Sequence, residues 1–109
     1  RVEALINQQQ LYLNPDLTLN ALARKAGIPA RQISKAVNLT RGCNVSQWIN
    51  GFRIIYAQQQ LRSTDLPVTE VMLEAGFATK SNFHREFLRI SGMSPTDYRR
   101  RAAENPGPD

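Results

Sequence analysis

Apolar residues recur every three or four positions along most of this chain, which is the spacing of one face of an α-helix. Gly, Pro and Asn interrupt the pattern and divide it into seven predicted helices. The longest covers Val45 to about Ser63, and the first runs from about Val2 to Leu13. The shorter ones are predicted over about 19–26, 29–40, 68–75, 80–90 and 95–101. The sequence therefore predicts an all-α fold.

Start signals accompany three of the shorter helices. Ser94 precedes Pro95 and an acid at the third helical position, Asp97, which is close to a capping box. Thr18 and Thr79 are predicted N-caps, because a threonine hydroxyl can accept a hydrogen bond from the first helical turn. These three positions therefore set the expected beginnings of the second, sixth and seventh helices.

One part of the pattern occurs twice. Ala26-Gly27-Ile28 returns as Ala75-Gly76-Phe77, 49 positions later, and beyond the turn the offset becomes 50, so that Ile33 matches Phe83. The second copy thus has one extra residue in its turn. Each copy is a short helix, a glycine turn and a second helix. This is the geometry of a helix-turn-helix, whose second helix enters the DNA major groove.

The repeat predicts how the chain is organised. The expected parts are an N-terminal helix and lead-in (1–17), a first helix-turn-helix (18–44), a linker helix (45–66), a second helix-turn-helix with a C-terminal helix (67–101) and a disordered tail (102–109). The predicted fold is a seven-helix domain with two helix-turn-helix subdomains joined by a long central helix. A helix of 19 residues spans about 28 Å. It could hold two recognition helices about one DNA turn, ~34 Å, apart on one face of the duplex.

Charge narrows the choice of partner. The chain of 109 residues has 14 Lys and Arg against 9 Asp and Glu, a net charge of +5, and 11 of the cations are Arg. Such a domain is a candidate for binding phosphate polyanions. The single Cys43 and the single His84 exclude an internal disulfide and a Cys/His metal cluster. No apolar run is long enough to span a membrane, and no acid–base constellation predicts an enzyme or a cofactor.

The outward faces of the two second helices carry side chains that pair with base edges in the major groove. Neither face has an acid before Glu86. On the first helix the positions i, i+3, i+4 and i+7 are Arg31, Ser34, Lys35 and Asn38, and the second helix offers Lys80, Ser81, Asn82, His84 and Arg85. We predict DNA contacts from all of these except Asn38, with a capping or turn role also open for Ser34, Ser81 and Asn82.

Other arginines have different expected roles. We expect Arg53, inside the central helix, to pair with an acid or a carbonyl within the domain rather than with DNA. The run Arg99-Arg100-Arg101 is expected to give a diffuse field that attracts phosphates rather than a specific contact.

The second half of the chain resembles the DNA-binding domain of the AraC family of bacterial transcription regulators. Ala75-Gly76-Phe77, the segment 81–87 and the segment 92–99 are similar to the family signature GF…S.F.R.F…G.SP..YR, and Arg53 opens its R…A…L helix. The resemblance covers roughly 18–100. The first half departs from it, because Pro29 stands where the family usually has Ser.

The resemblance implies two helix-turn-helix subdomains on a long helix, with base contacts from both recognition helices to double-stranded DNA. The resemblance also implies a cytoplasmic bacterial regulator with RNA polymerase as a further partner. It favours an activator over a repressor. A sensor or oligomerisation domain is expected N-terminal to this part, since the chain begins at Arg1, and no membrane contact is expected here. The alternative is a helical protein–protein module whose basic face meets an acidic partner.

Overall fold

The computed structural model describes residues 2–104, which form seven α-helices, one short 3-10 turn and no strand. The helices are α1 (Val2–Gln9), α2 (Leu19–Ala26), α3 (Ala30–Arg41), α4 (Val45–Ser63), α5 (Val68–Glu74), α6 (Lys80–Ser91) and α7 (Pro95–Glu104), and the 3-10 turn is Leu11–Leu13. The all-α prediction with seven helices is confirmed. None of these helices combines the length and the apolar character needed to cross a membrane.

Both ends of the described chain differ from the prediction. The first helix was expected to reach Leu13, but it ends at Gln9 because Gln10 adopts a left-handed backbone (φ 49°, ψ 41°). At the other end α7 continues to Glu104. The expectation of a disordered tail is therefore wrong for 102–104, where two alanines and a glutamate favour helix. Residues 105–109 of that expected tail lie outside the described part of the chain.

The predicted caps are present. Thr18 Oγ1 accepts from the Ala21 N–H, Thr79 Oγ1 from Asn82 and Ser94 Oγ from Asp97, at 3.1, 3.2 and 3.1 Å. The start of α4 has a capping box that the sequence reasoning did not identify. There the Asn44 side chain accepts from the Gln47 N–H and the Gln47 side chain accepts from the Asn44 N–H. The long central helix thus has a defined beginning.

Two apolar clusters form the interior, and α4 contributes to both. The first contains Ile6, Tyr12, Leu22, Ile33, Val37, Val45 and Ile49. The second contains Ile54, Ala57, Leu61, Val71, Met72, Ala75, Phe77, Phe83 and Phe87. Each cluster therefore lies beneath one pair of helices, α2–α3 or α5–α6, and α4 is the element that they share. The Cα trace is elongated, with extents of 45 × 26 × 24 Å.

Candidate nucleic-acid interface

The two glycine turns place α3 and α6 against their partner helices. Gly27 has φ +68° and Gly76 has φ +96°, a left-handed backbone that glycine adopts without steric cost. The helix that follows begins three residues after Gly27 and four residues after Gly76. The extra residue predicted in the second turn is therefore confirmed. The turns differ in their surroundings. A Cβ on Gly27 would meet nothing within 4 Å, whereas one on Gly76 would lie 2.6 Å from Tyr12 O.

Four residues of the predicted α6 set lie on one exposed face of the helix. Phe83 and Phe87 are fully buried on the inner side, which turns Lys80, Ser81, His84 and Arg85 outward, and all four are exposed. His84 Nδ1 lies 3.0 Å from the Lys80 carbonyl oxygen. The residues predicted on this face are thus brought together on one exposed surface.

Asn82 has a structural role beside them. It is half-buried, its N–H donates to the Thr79 cap, and its Oδ1 accepts from Arg85 Nη2 at 2.7 Å. The Arg85 guanidinium is therefore oriented by an amide oxygen rather than by a carboxylate, and its positive charge is not cancelled. Its remaining donors are free to meet a base edge or a phosphate.

The α3 surface is simpler. Ile33 and Val37 are buried on the inner side, at 3% and 5% exposure. Arg31 and Lys35 are exposed and Ser34 is half-buried. Within residues 2–104 these two cations form no ion pair, and neither do Lys80 and Arg85. Each of the two recognition helices thus presents two cations whose charge is unopposed.

Most cations elsewhere in residues 2–104 have partners within the domain, whereas the exposed Arg24, Lys25 and Arg101 form no ion pair there. Arg41 pairs with Glu3, Arg89 with Glu86 and Arg100 with Asp97, each at 2.6 Å. Arg99 donates to the carbonyls of Leu61 and Thr64 at the end of α4, at 3.1 and 3.2 Å. Asp97 thus cancels the charge of Arg100, whereas Arg99 keeps its charge because its carbonyl partners are neutral. The phosphate-attracting field of Arg99-Arg100-Arg101 stays a prediction, reduced by the ion pair of Arg100.

Arg53 confirms its predicted internal role. It is 7% exposed and donates to Tyr12 O at 2.6 Å, to Asn14 O at 2.9 Å and to Asn50 Oδ1 at 2.9 Å. Its guanidinium carbon also lies 5.9 Å from the centre of the Phe77 ring, within the range of a cation–π contact. Burial lowers the pKa of Arg53 below its ordinary value, because the charged form is the one that desolvation disfavours.

Glu86 differs from its sequence-based placement on the outward face of α6. It is only 4% exposed, and its oxygens accept from Arg89 at 2.6 and 3.2 Å and from Asn50 Nδ2 at 3.5 Å. The hydrogen bond to Glu86 raises the pKa of Arg89. The acid is thus withdrawn from the recognition surface, which is left more positive than the sequence suggested.

The sequence reasoning overlooked Leu88, an exposed apolar residue on the outward stripe of α6. Leu88 is 57% exposed and follows His84 by four positions, so it lies on the same stripe of the helix. The signal for it in the sequence is its four-residue spacing from His84. An exposed leucine on this stripe can contact a thymine methyl group. Within residues 2–104 no three His, Cys, Asp or Glu side chains are grouped so that they could hold a metal ion.

Comparison with known proteins identifies the domain type. A family model described as a helix-turn-helix domain matches residues 22–101. The transcriptional activator NphR of a Rhodococcus species is 36% identical over 103 residues, which are 94% of this chain and 30% of that protein. An uncharacterised helix-turn-helix regulator of Staphylococcus aureus is 28% identical over 99 residues, which cover 91% of this chain. The present chain spans only 13% of that regulator.

Solved structures agree with the fold. The DNA-binding domain of AdpA, a global transcriptional factor crystallised with a target DNA, has a TM-score of 0.80 and 27% identity, with coverage of 96% and 93% of the two chains. An AraC-type regulator from Chromobacterium violaceum has a TM-score of 0.81 at 20% identity, covering 97% and 91%. The chain belongs to the AraC family of helix-turn-helix DNA-binding domains, which act in transcription regulation by sequence-specific DNA binding and are not enzymes.

Proposed function

We propose that this chain reads double-stranded DNA by placing α3 and α6 in two successive major-groove segments on one face of the duplex. The observation that carries the proposal is the unopposed charge on the outward faces of these two helices. Arg31 and Lys35 on α3, and Lys80 and Arg85 on α6, are exposed and have no acidic partner within residues 2–104. Elsewhere in that part of the chain, three arginines are neutralised by carboxylates.

The dimensions support two contacts by one chain. Successive major-groove segments on one face are about 34 Å apart, and the domain is 45 Å long with a 19-residue helix between its two helix-turn-helix units. A protein with one helix-turn-helix reaches a second groove segment through dimerisation. Two units on a shared helix allow a single chain to do so, and the site it reads is then asymmetric.

Arg85 has the geometry for base recognition. Asn82 already holds one of its guanidinium nitrogens, which limits the side-chain freedom that DNA binding would remove. The remaining donors suit the O6 and N7 acceptors of guanine, the pairing that arginine makes most often in the major groove. Lys80, exposed at the first position of α6, suits a base or a phosphate oxygen. Ser34, Ser81 and His84 are the further candidates on the two faces.

The regulatory outcome follows from similarity alone. AdpA binds a target DNA and NphR is an activator, and the present chain resembles both along most of its length. On this basis we propose that the whole protein is a bacterial, cytoplasmic regulator that acts as an activator, with RNA polymerase as a partner. The longer length of the relatives supports a further sensor or oligomerisation domain in the whole protein.

Selection of bound duplexes from a random pool tests the proposal. We expect an asymmetric site of about 20 base pairs with two blocks one helical turn apart. With about six phosphates contacted, log K should fall with log salt at a slope near −5. No affinity for any duplex at low salt would instead favour the protein–protein module.

A pair of arginine variants tests the reading face. Arg85→Ala should weaken binding to the selected site by about 1–3 kcal/mol, or ~5–150-fold, and relax specificity at one base pair. Arg100→Ala is the matched control, because Arg100 is equally an exposed arginine of a helix but is paired with Asp97. Affinity is measured by fluorescence anisotropy on the selected site and on its single-base variants. Unchanged binding by Arg85→Ala would remove α6 from the proposed interface.

A further inference from the structure

Polar side chains are buried where α4 passes from one apolar cluster to the other. Ile49 belongs to the first cluster and Ile54 to the second. Between them Asn50 and Arg53 are 6% and 7% exposed. Burial of such groups is unfavourable unless every donor and acceptor finds a partner. Within residues 2–104 no buried side-chain nitrogen or oxygen lacks one.

The partners of these two residues form a continuous chain of hydrogen bonds. Arg53 donates to Tyr12 O and to Asn50 Oδ1. Asn50 Nδ2 donates in turn to Glu86 Oε1 on α6 at 3.5 Å, and Glu86 is held by Arg89. We name Asn50, Arg53, Glu86 and Arg89 the seam network.

The seam network connects three parts of the fold that are far apart in sequence. It starts at the backbone of the 3-10 turn, which precedes the first helix-turn-helix, and crosses α4. It ends on α6, the second recognition helix, and Arg89 Nη2 returns to the Gln47 carbonyl of α4 at 3.4 Å. Packing of the two apolar clusters alone would not fix the relative positions of the 3-10 turn, α4 and α6, because apolar contacts are non-directional.

A backbone contact reinforces the same junction. The second helix-turn-helix approaches the 3-10 turn so closely at Gly76 that a Cβ there would lie 2.6 Å from Tyr12 O and 2.9 Å from Leu13 O. The Phe77 ring, in the same turn, lies against the Arg53 guanidinium. The carbonyl of Tyr12 is therefore a common point for Arg53 and for the turn that leads to α6.

We propose that the seam network fixes the separation and angle between α3 and α6, and thereby the spacing between the two base-pair blocks that the domain accepts. This inference rests on the proposed function. One added base pair moves a block by about 3.4 Å and turns it by about one tenth of a helical turn. The short, charge-assisted hydrogen bonds of Arg53 hold the 3-10 turn region to α4 directionally, which resists that change more than apolar packing does. The longer contacts of Asn50 with Glu86 and of Arg89 with Gln47, at 3.5 and 3.4 Å, extend this restraint to α6. Asn50 and Glu86 are positioning residues, since Asn50 is buried on α4 and Glu86 on the inner side of α6, away from the reading face.

Binding to a series of spaced operators tests the inference. The selected site is rebuilt with its two blocks one base pair closer, at the native spacing, and one and two base pairs farther apart. The wild-type chain should lose about tenfold or more in affinity for each base pair changed, a loss similar to that of a mismatched base pair. Asn50→Ala and Glu86→Gln should bind the native spacing several-fold more weakly, and their loss per base pair should fall below about threefold.

Glu3→Gln is the matched control. It makes the same chemical change as Glu86→Gln. The ion pair that it removes, between Glu3 and Arg41, is half-exposed and joins α1 to α3, away from the seam network. It should retain the wild-type dependence on spacing. Circular dichroism at the assay temperature establishes that each variant is folded. Glu86→Gln keeps the size of the original side chain but removes its charge and one of the two oxygens that accept from Arg89. It therefore supplies the test if Asn50→Ala unfolds.

The outcomes separate the two proposals. If no duplex is selected from the random pool, the proposed function is wrong. If a two-block site is bound but both variants keep the wild-type spacing profile, with affinity lowered equally at every spacing, the seam network only stabilises the fold and the inference is overturned. A wild-type chain that tolerates all four spacings equally would overturn it as well.

Discussion

Gly76 and Gly27 occupy matching turns, and the structure predicts unequal effects when each is replaced by alanine. Both have a left-handed backbone, with φ of +96° and +68°. At Gly27 the added Cβ would enter open space, but at Gly76 it would lie 2.6 Å from Tyr12 O and 2.9 Å from Leu13 O. These neighbours are main-chain atoms, so the clash cannot be relieved by the rotation of a flexible side chain.

The magnitude follows from two separate terms. A left-handed backbone costs an L-residue other than glycine about 1–2 kcal/mol, and this term applies to both variants. An extra methyl forced into a packed site costs about 1–3 kcal/mol more, and this term applies to Gly76→Ala alone. We therefore expect Gly76→Ala to lower the free energy of unfolding by about 2–5 kcal/mol and Gly27→Ala by about 1–2 kcal/mol. Against a total of about 5–15 kcal/mol for a domain of this size, the first loss is severe.

Urea unfolding followed by far-ultraviolet circular dichroism measures both losses, with equal m-values as the condition for comparing them. Gly27→Ala is the internal control, since it makes the same substitution as Gly76→Ala in the matching turn, at a glycine that also has positive φ. Equal destabilisation of the two variants would refute the reasoning. It would mean that the 3-10 turn moves away from Gly76 at little cost, and that this contact does not hold the junction together.

Three further substitutions have expected effects on the free energy of unfolding, each measurable by the same urea titration. Gly51→Ala should raise it by about 0.5–1 kcal/mol, because Gly51 lies inside α4 and a Cβ there meets nothing within 4 Å; a loss would indicate a hidden contact. Thr79→Ala should lower it by about 1 kcal/mol by removing the N-cap of α6, whereas Thr79→Ser should restore most of it. Arg53→Lys should lower it by about 1–3 kcal/mol, since the donors of an ammonium share one nitrogen and cannot reach the acceptors that three separate guanidinium nitrogens reach. Wild-type stability in that variant would contradict the importance of the fork geometry.

Local rules were sufficient for most of the helices. The start of α6 follows from the Thr79 hydroxyl, that of α7 from Ser94 and Pro95, and the long α4 from an uninterrupted apolar pattern. Each of these signals acts within a few residues, so the sequence contains it directly. The internal repeat extended them to a fold, because two copies of the glycine turn together with the net positive charge favour a pair of helix-turn-helix units over ordinary helical hairpins.

Long-range contacts decided what the local rules missed. Nothing in the type of residue at Gln10 announces a left-handed backbone, yet α1 stops there and the next turn buries Tyr12 beneath Arg53, 41 positions later. Glu86 has the spacing of an outward residue, and it is buried because Asn50 and Arg89 reach it from two sides. The apolar pattern of one helix predicts neither the end of α1 nor the burial of Glu86. Both depend on contacts with residues of other elements, Arg53 and Asn50 of α4.

The kind of partner explains why Arg85 and Arg89, one turn apart on α6, have opposite consequences for the surface charge. Arg89 is bound by the carboxylate of Glu86, so the pair adds almost no net charge. The Arg89 side chain is held in one orientation, but its charge is cancelled. Arg85 is bound by the amide oxygen of Asn82, which orients the guanidinium and leaves its charge intact. Orientation before binding reduces the side-chain freedom lost on association, and an uncancelled charge retains the attraction to phosphate. A carboxylate at position 82 would orient Arg85 equally well but remove that attraction, which is why an amide there is consistent with a surface that binds DNA.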